Sequence, residues 1–81
     1  MSHHYTLHYF AVLREQAGCR EEQLISEAIT PDALYAEVRA RHGFTLDAAF
    51  LRVAINAVFA DWHAPLRTGD SIVFIPPVAG G

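Results

Sequence analysis

The chain has 81 residues, 52% of them apolar and 19% charged, with six basic and nine acidic side chains and a formal net charge of −3. That suits one domain with a modest core, is too apolar for a disordered chain, and lacks the Lys/Arg cluster that a nucleic-acid partner requires. The lone cysteine, Cys19, excludes an intrachain disulfide and an iron–sulfur cluster ligated by cysteines of one chain.

His4 to Phe10 alternates, with Tyr5, Leu7 and Tyr9 on one face and Thr6, His8 and Phe10 on the other, and predicts a first strand. Val12–Ala17 is rich in helix formers, and Gly18 is placed to end a short helix there. Glu21–Glu27 predicts a more exposed strand centred on Leu24 and Ile25. A second helix has stronger local signals. Thr30 suits the N-cap, Pro31 the first helical position and Asp32 the positive end of the dipole. Leu34, Tyr35 and Val38 share a face, Arg39, Arg41 and His42 sit near the negative end, and Gly43 can close it. Leu51–Asn56 predicts a third strand, Asp61–Leu66 a short irregular or extended piece, and Arg67-Thr68-Gly69-Asp70 a turn. Ser71–Ile75, β-branched and aromatic, predicts a buried last strand.

The most apolar strands come first and last, which predicts that they pair in parallel at the sheet centre with the second helix across one face. The expected fold is α+β: a ubiquitin-like β-grasp with a mixed sheet of four to five strands, one main helix and a short first helix. The domain is expected to span 1–75, and a flexible tail 76–81. The start of the chain shows no basic segment followed by an apolar stretch. Ala48 to Ala60 is interrupted by Arg52 and Asn56 and is too short to span a bilayer. A cytoplasmic protein with no membrane partner is the expectation.

The sequence finishes Phe74-Ile75-Pro76-Pro77-Val78-Ala79-Gly80-Gly81. The prolines end the ladder and stiffen the exit, while two glycines offer bare backbone to a slot that any Cβ would block. The residues beyond Ile75 reach about 15–20 Å when extended, far enough to enter another protein's active site. Phe74 and Val78 are expected to face a partner near the emerging tail.

Three segments then carry a resemblance. Phe10-Ala11-Val12-Leu13-Arg14-Glu15-Gln16-Ala17-Gly18 is similar to the first strand and helix of the molybdopterin synthase small-subunit type of the MoaD/ThiS family of ubiquitin-like sulfur carriers. Val53-Ala54-Ile55-Asn56 resembles that type's central strand and Asn-bearing turn. Pro65-Leu66-Arg67-Thr68-Gly69-Asp70, followed by Ile75 to Gly81, resembles its C-terminal signature, with Ala79 where a hydroxyl residue is common.

The resemblance implies that the Gly81 carboxylate is adenylylated, converted to a thiocarboxylate, and gives its sulfur to cyclic pyranopterin monophosphate to form the molybdopterin dithiolene. It implies three partners: an E1-like adenylyltransferase, a sulfur donor protein and the large synthase subunit, with which the small subunit forms a heterotetramer. Val78, Ala79 and Gly80 would lie in the partner active site, with Phe74, Pro76 and Pro77 at the interface. The isolated chain would bind no cofactor; ATP would be used by the adenylyltransferase. A carrier for thiamine or another thio-metabolite, a ubiquitin-like modifier conjugated through Gly81, and a passive interaction domain are the alternatives.

His3, His4 and His8 lack the spacing of a metal site and read as a mobile N-terminus and a strand-surface residue, so no metal is expected. Cys19 follows a helix-ending glycine, where the dipole does not favour a thiolate, and reads as a loop or partly buried thiol. No Ser/His/Asp spacing or phosphate-binding glycine loop is visible.

Overall fold

The computed structural model describes residues 2–77. Its elements are β1 (His3–Tyr9), α1 (Ala11–Ala17), β2 (Glu21–Ser26), α2 (Pro31–His42), a 3-10 turn (Ala48–Phe50), β3 (Arg52–Ile55), β4 (Val58–Ala60) and β5 (Ser71–Ile75). The sheet order is β2-β1-β5-β3-β4. β1 and β5 run parallel, and the other pairs are antiparallel. This is the β-grasp expected, with first and last strands adjacent at the centre.

Local chemistry sets the helix ends. Gly18 and Gly43 both adopt left-handed backbone, and their amides donate to the carbonyls of Arg14 (3.0 Å) and Arg39 (2.8 Å). Those bonds satisfy carbonyls that the last helical turn leaves open. Leu34, Tyr35 and Val38 turn one face of α2 onto the sheet and are buried, as their spacing predicts.

Two expectations change. The fourth strand is Val58–Ala60, not the Asp61–Leu66 piece. Asn56 and Ala57 both have positive φ (51° and 69°), which makes a two-residue turn of the type I′ kind and sends the chain straight back along β3. Ala57 lacks the freedom of the glycine usual there, a strain of about 1 kcal/mol. Residues 61–66 are irregular, the first of the two forms expected for them: Asp61 Oδ1 accepts from the His63 amide, and the Leu66 amide donates to Ile29 O. The second change concerns His3, which is a strand residue paired with Ser26 rather than part of a mobile end, while His4 pairs with Ile25 as the predicted first strand requires. The His3 ring stacks on Tyr5 at 5.9 Å, and the His4 amide donates to the Thr68 hydroxyl at 2.8 Å.

The core lies between the sheet and α2. Tyr5, Leu7, Tyr9, Leu13, Leu34, Tyr35, Val38, Ile72 and Phe74 are buried. Buried tyrosines place their hydroxyls on acceptors: Tyr5 donates to Ala28 O and Tyr35 to Leu46 O, each at 2.6 Å. Phe74 lies edge-on to Tyr35 at 5.0 Å and stacks on Trp62 at 5.9 Å.

One polar cluster ties α2 to the sheet. Glu22 Oε1 accepts from the Tyr9 hydroxyl (2.7 Å) and lies 2.9 Å from His42 Nε2, and Arg41 Nε is 3.6 Å from Oε2. Burial alone would raise the Glu22 pKa, but the hydrogen bonds to His42 and Tyr9 and the charges of His42 and Arg41 outweigh it, so the carboxyl lies below its usual range. Burial and the same carboxylate push the Tyr9 hydroxyl well above its ordinary value.

A depressed carboxyl pKa stabilises the fold above the unfolded-state value and loses that contribution as pH falls through the folded value. Glu22→Gln is therefore expected to cost about 1–2 kcal/mol at neutral pH. The gap to the parent protein narrows as pH falls below the ordinary glutamate range and on through the lowered folded value. Urea unfolding of both proteins across pH checks it; a gap that stays constant into acid contradicts the ionic contribution.

Candidate functional site

β5 carries the tail, so its placement decides where the tail emerges. It is hydrogen-bonded on both edges, parallel to β1 (Leu7↔Ile72, Tyr9↔Phe74) and antiparallel to β3 (Val53↔Phe74, Arg52↔Ile75). Its start is held by Asn56. The Asn56 Oδ1 accepts from the Ser71 amide (2.9 Å), its Nδ2 donates to Asp70 Oδ1 (3.0 Å), and its amide donates to Ser71 O (2.8 Å). Asp70 Oδ2 in turn accepts from the Arg67 amide at 2.8 Å. These bonds fix the turn before β5 and hence the direction in which β5 ends.

Strand alternation then separates two faces. Ile72 and Phe74 point into the core, while Ser71, Val73 and Ile75 point to the open side. Phe74, expected at a partner surface, has no exposed surface and belongs to the aromatic core under α2. The outward residue at that end is Ile75. Beyond it Pro76 is half-buried and Pro77 exposed. Val78, Ala79, Gly80 and Gly81, the expected inserted and reactive residues, lie outside the described residues.

The open face is unusually apolar near the tail. Phe50, Phe59 and Phe10 expose 64%, 65% and 53% of their surface. Phe10 follows the Tyr9–Phe74 pair and so sits at the same end of the sheet. Phe50, Arg52, Phe59, Ile75, Pro76 and Pro77 line a cleft of about 380 Å³ at the foot of the tail. The Arg52 guanidinium sits 5.6 Å from the Phe59 ring centre, within cation–π range. Contiguous apolar exposure of this kind marks a protein-contact surface. Only the register of β4 on β3, with Phe59 opposite Ala54, shows that Phe59 faces outward.

A single rung crosses this face: Phe59, Ala54, Val73, His8 and Glu21 are register neighbours from β4 to β2. The rung is apolar on one side of the sheet and acidic on the other. Folding also aligns groups distant in sequence, with His8 Nε2 2.9 Å from Ser71 Oγ and His8 Nδ1 3.6 Å from Glu21 Oε1. This resembles a nucleophile–base–orienter set, but the Ser71 amide is committed to Asn56, and no described cleft is lined by these residues. It is a hydrogen-bonded strand surface.

Elsewhere, a depression of about 480 Å³ lies beside α2, walled by Tyr35, Arg39, Phe44 and Ala48. Its Arg39 is engaged by Phe44 O (3.2 Å) and Asp47 (4.0 Å), and it lies on the helix side, away from the tail. Cys19 is half-buried against the core. Among the described residues, no three His, Cys, Asp or Glu side chains gather as a metal set. No described helix is long and apolar enough to cross a membrane.

Comparison with known proteins agrees with this geometry. Residues 7–81 match the model of the ThiS family. The chain is 32% identical over 76 residues to the molybdopterin synthase sulfur carrier subunit of Escherichia coli K12, covering 90% of this chain and 94% of that protein. Among solved structures, a chain of the complex of subunits 1 and 2 of the molybdopterin-converting factor from Helicobacter pylori is 26% identical with a TM-score of 0.65, each chain covered completely. SAMP1 from Haloferax volcanii, 24% identical with a TM-score of 0.76 and both chains covered completely, shares the fold. A β-grasp whose last strand leads onto an open apolar face, matched by one family model over nearly its whole length, belongs to the ThiS family.

Proposed function

We propose that this chain is the sulfur-carrying small subunit of a molybdopterin synthase and that its reactive group is the carboxylate of Gly81. The observation that carries the reading is the position of β5. Paired on both edges, it delivers Pro76 and Pro77 beside an uncovered apolar face that a partner enzyme can grip. The relatives named as sulfur carrier subunits support the same reading.

The chemistry begins with a poor acyl donor, because a carboxylate would have to expel oxide. In an E1-like adenylyltransferase, a Gly81 oxygen attacks the α-phosphorus of ATP, forming an acyl-adenylate and releasing pyrophosphate. Sulfur at the sulfide level, delivered by a donor protein, attacks the acyl carbon and expels AMP, which leaves a thiocarboxylate. One hard step becomes two easier ones. The large synthase subunit then receives the tail, with Val78, Ala79 and Gly80 in its active site. At each of two side-chain carbons of the cyclic pyranopterin monophosphate the anionic sulfur forms a C–S bond while a C–O bond breaks, the oxygen leaving with the opened phosphate ester at one carbon and as water at the other. Water then cleaves the carbonyl–sulfur bond and restores the carboxylate. Each dithiolene takes two sulfurs, hence two carrier turnovers.

This chain holds no cofactor of its own in that scheme; ATP is bound by the adenylyltransferase. Its contribution is placement. A short tether on a rigid strand raises the effective concentration of the acyl group at the partner site. In that scheme the chain acts as the sulfur-donating subunit of an enzyme.

Protein isolated from its native cell is expected to include a fraction with one oxygen of Gly81 replaced by sulfur, seen by intact mass and tandem mass spectrometry. Lysine-conjugated forms without any thiocarboxylate would instead make it a modifier, and co-purification with a thiazole-forming enzyme would assign it to thiamine. Deleting Gly81 should leave the unfolding midpoint unchanged and abolish pterin conversion with the large subunit; full activity contradicts the mechanism. Phe59→Ser should change stability by no more than about 0.5 kcal/mol, because the ring is exposed. It should weaken binding to the large subunit by tenfold or more, or about 1.4 kcal/mol. Calorimetric titration and thermal unfolding separate the two effects.

A further inference from the structure

We propose that the cleft at the foot of the tail is an anchor pocket for one segment of the large subunit: an apolar side chain with a carboxylate beside it. The inference rests on the reading of the open sheet face as the docking surface, and it assigns the partner's chemistry there.

Arg52 is the one charged residue among those lining the cleft. It stands on the open side of β3, opposite Ile75 in register, and is exposed. Among the described residues, no carboxylate lies within 4.0 Å of it, whereas Arg39 and Arg41 are paired with Asp47 and Glu22. The guanidinium is parked over the Phe59 ring at 5.6 Å. Such stacking uses the flat face of the group and leaves its N–H edge available for a bidentate carboxylate. Phe50, Phe59 and Ile75 supply an apolar floor beside that edge. An Arg with aromatic walls and a nearby apolar recess is the composition that dominates binding energy at protein interfaces.

The pocket is continuous with the tail root through Pro76 and Pro77, so a protein that receives the tail must pass over it. The charge pattern also sets orientation. The open face runs from Arg52 and Phe59 at one side to Glu21 at the other. A partner with an acid over Arg52 and a base over Glu21 fits one way round, and the reversed pose sets like charges together. In a chain with a net charge of −3, a lone cation in the apolar zone selects for that acid.

The test is calorimetric titration of the full chain with its own purified large subunit at two ionic strengths. The variants are Arg52→Gln, Arg52→Glu, Phe59→Ser and Arg67→Gln, the last an exposed cation in the turn before β5, at the far end of that strand. Arg52→Gln is expected to weaken binding about tenfold and to reduce its salt dependence, and Arg52→Glu to weaken it about a hundredfold. Arg67→Gln should bind as the parent does, and all variants should unfold at the parent temperature. If Phe59→Ser loses binding while both Arg52 variants bind within twofold of the parent, the anchor pocket is wrong and the docking face stands. If none of the variants changes binding, the docking face itself is wrong.

Discussion

Everything in this molecule depends on β5 being locked between two neighbours. A last strand at a sheet edge would fray and let the chain end wander. Here β1 and β3 take up its hydrogen bonds on both sides, Ile72 and Phe74 are driven into the core, and Asn56 pins its first residue. The parallel pairing with β1 requires the whole intervening chain to cross over, so most of the domain is in effect the connection that places this strand. The strand therefore ends at a defined spot and in a defined direction.

What lies around that spot follows from strand parity. The same alternation that buries Phe74 turns half-buried Ile75 to the open side, and the antiparallel turn at Asn56-Ala57 brings Phe59 round to the same side. The domain leaves Phe10, Phe50 and Phe59 uncovered there while its three tyrosines are buried. Exposed aromatic surface is costly for a small protein to keep, and its position beside the proline exit is what the proposed docking explains. Under the proposed docking, Arg52, held 5.6 Å from the Phe59 ring centre, would add direction to contact that is otherwise apolar.

Much of this was legible in the residues. The Thr30-Pro31-Asp32 start and Gly43 end of α2, the Tyr5/Leu7/Tyr9 alternation of β1 and the apolar run of β5 each carry local signals that the fold preserves. The facing of β5 was not legible, because Ile72 to Ile75 is apolar at every position and a strand that is apolar on both sides hides its parity. That is why Phe74 read as an interface residue. β4 was hidden because its turn uses Ala57 in place of glycine, so the usual hairpin signature is missing. The cleft joins Phe50, Arg52 and Phe59 to Ile75, Pro76 and Pro77, residues brought together only by the β3–β5 and β3–β4 pairings.

Under the proposed function the domain serves to present one acyl carbon, that of Gly81, to other enzymes. The most direct measurement is transfer of labelled sulfur. The chain is prepared with a radioactive thiocarboxylate at Gly81 and mixed with the large subunit and cyclic pyranopterin monophosphate, with no ATP and no sulfur donor present. Label is expected to leave the protein and appear in the dithiolene product, two atoms for each pterin. Label that stays on the protein, or a product whose sulfur is unlabelled, would contradict it.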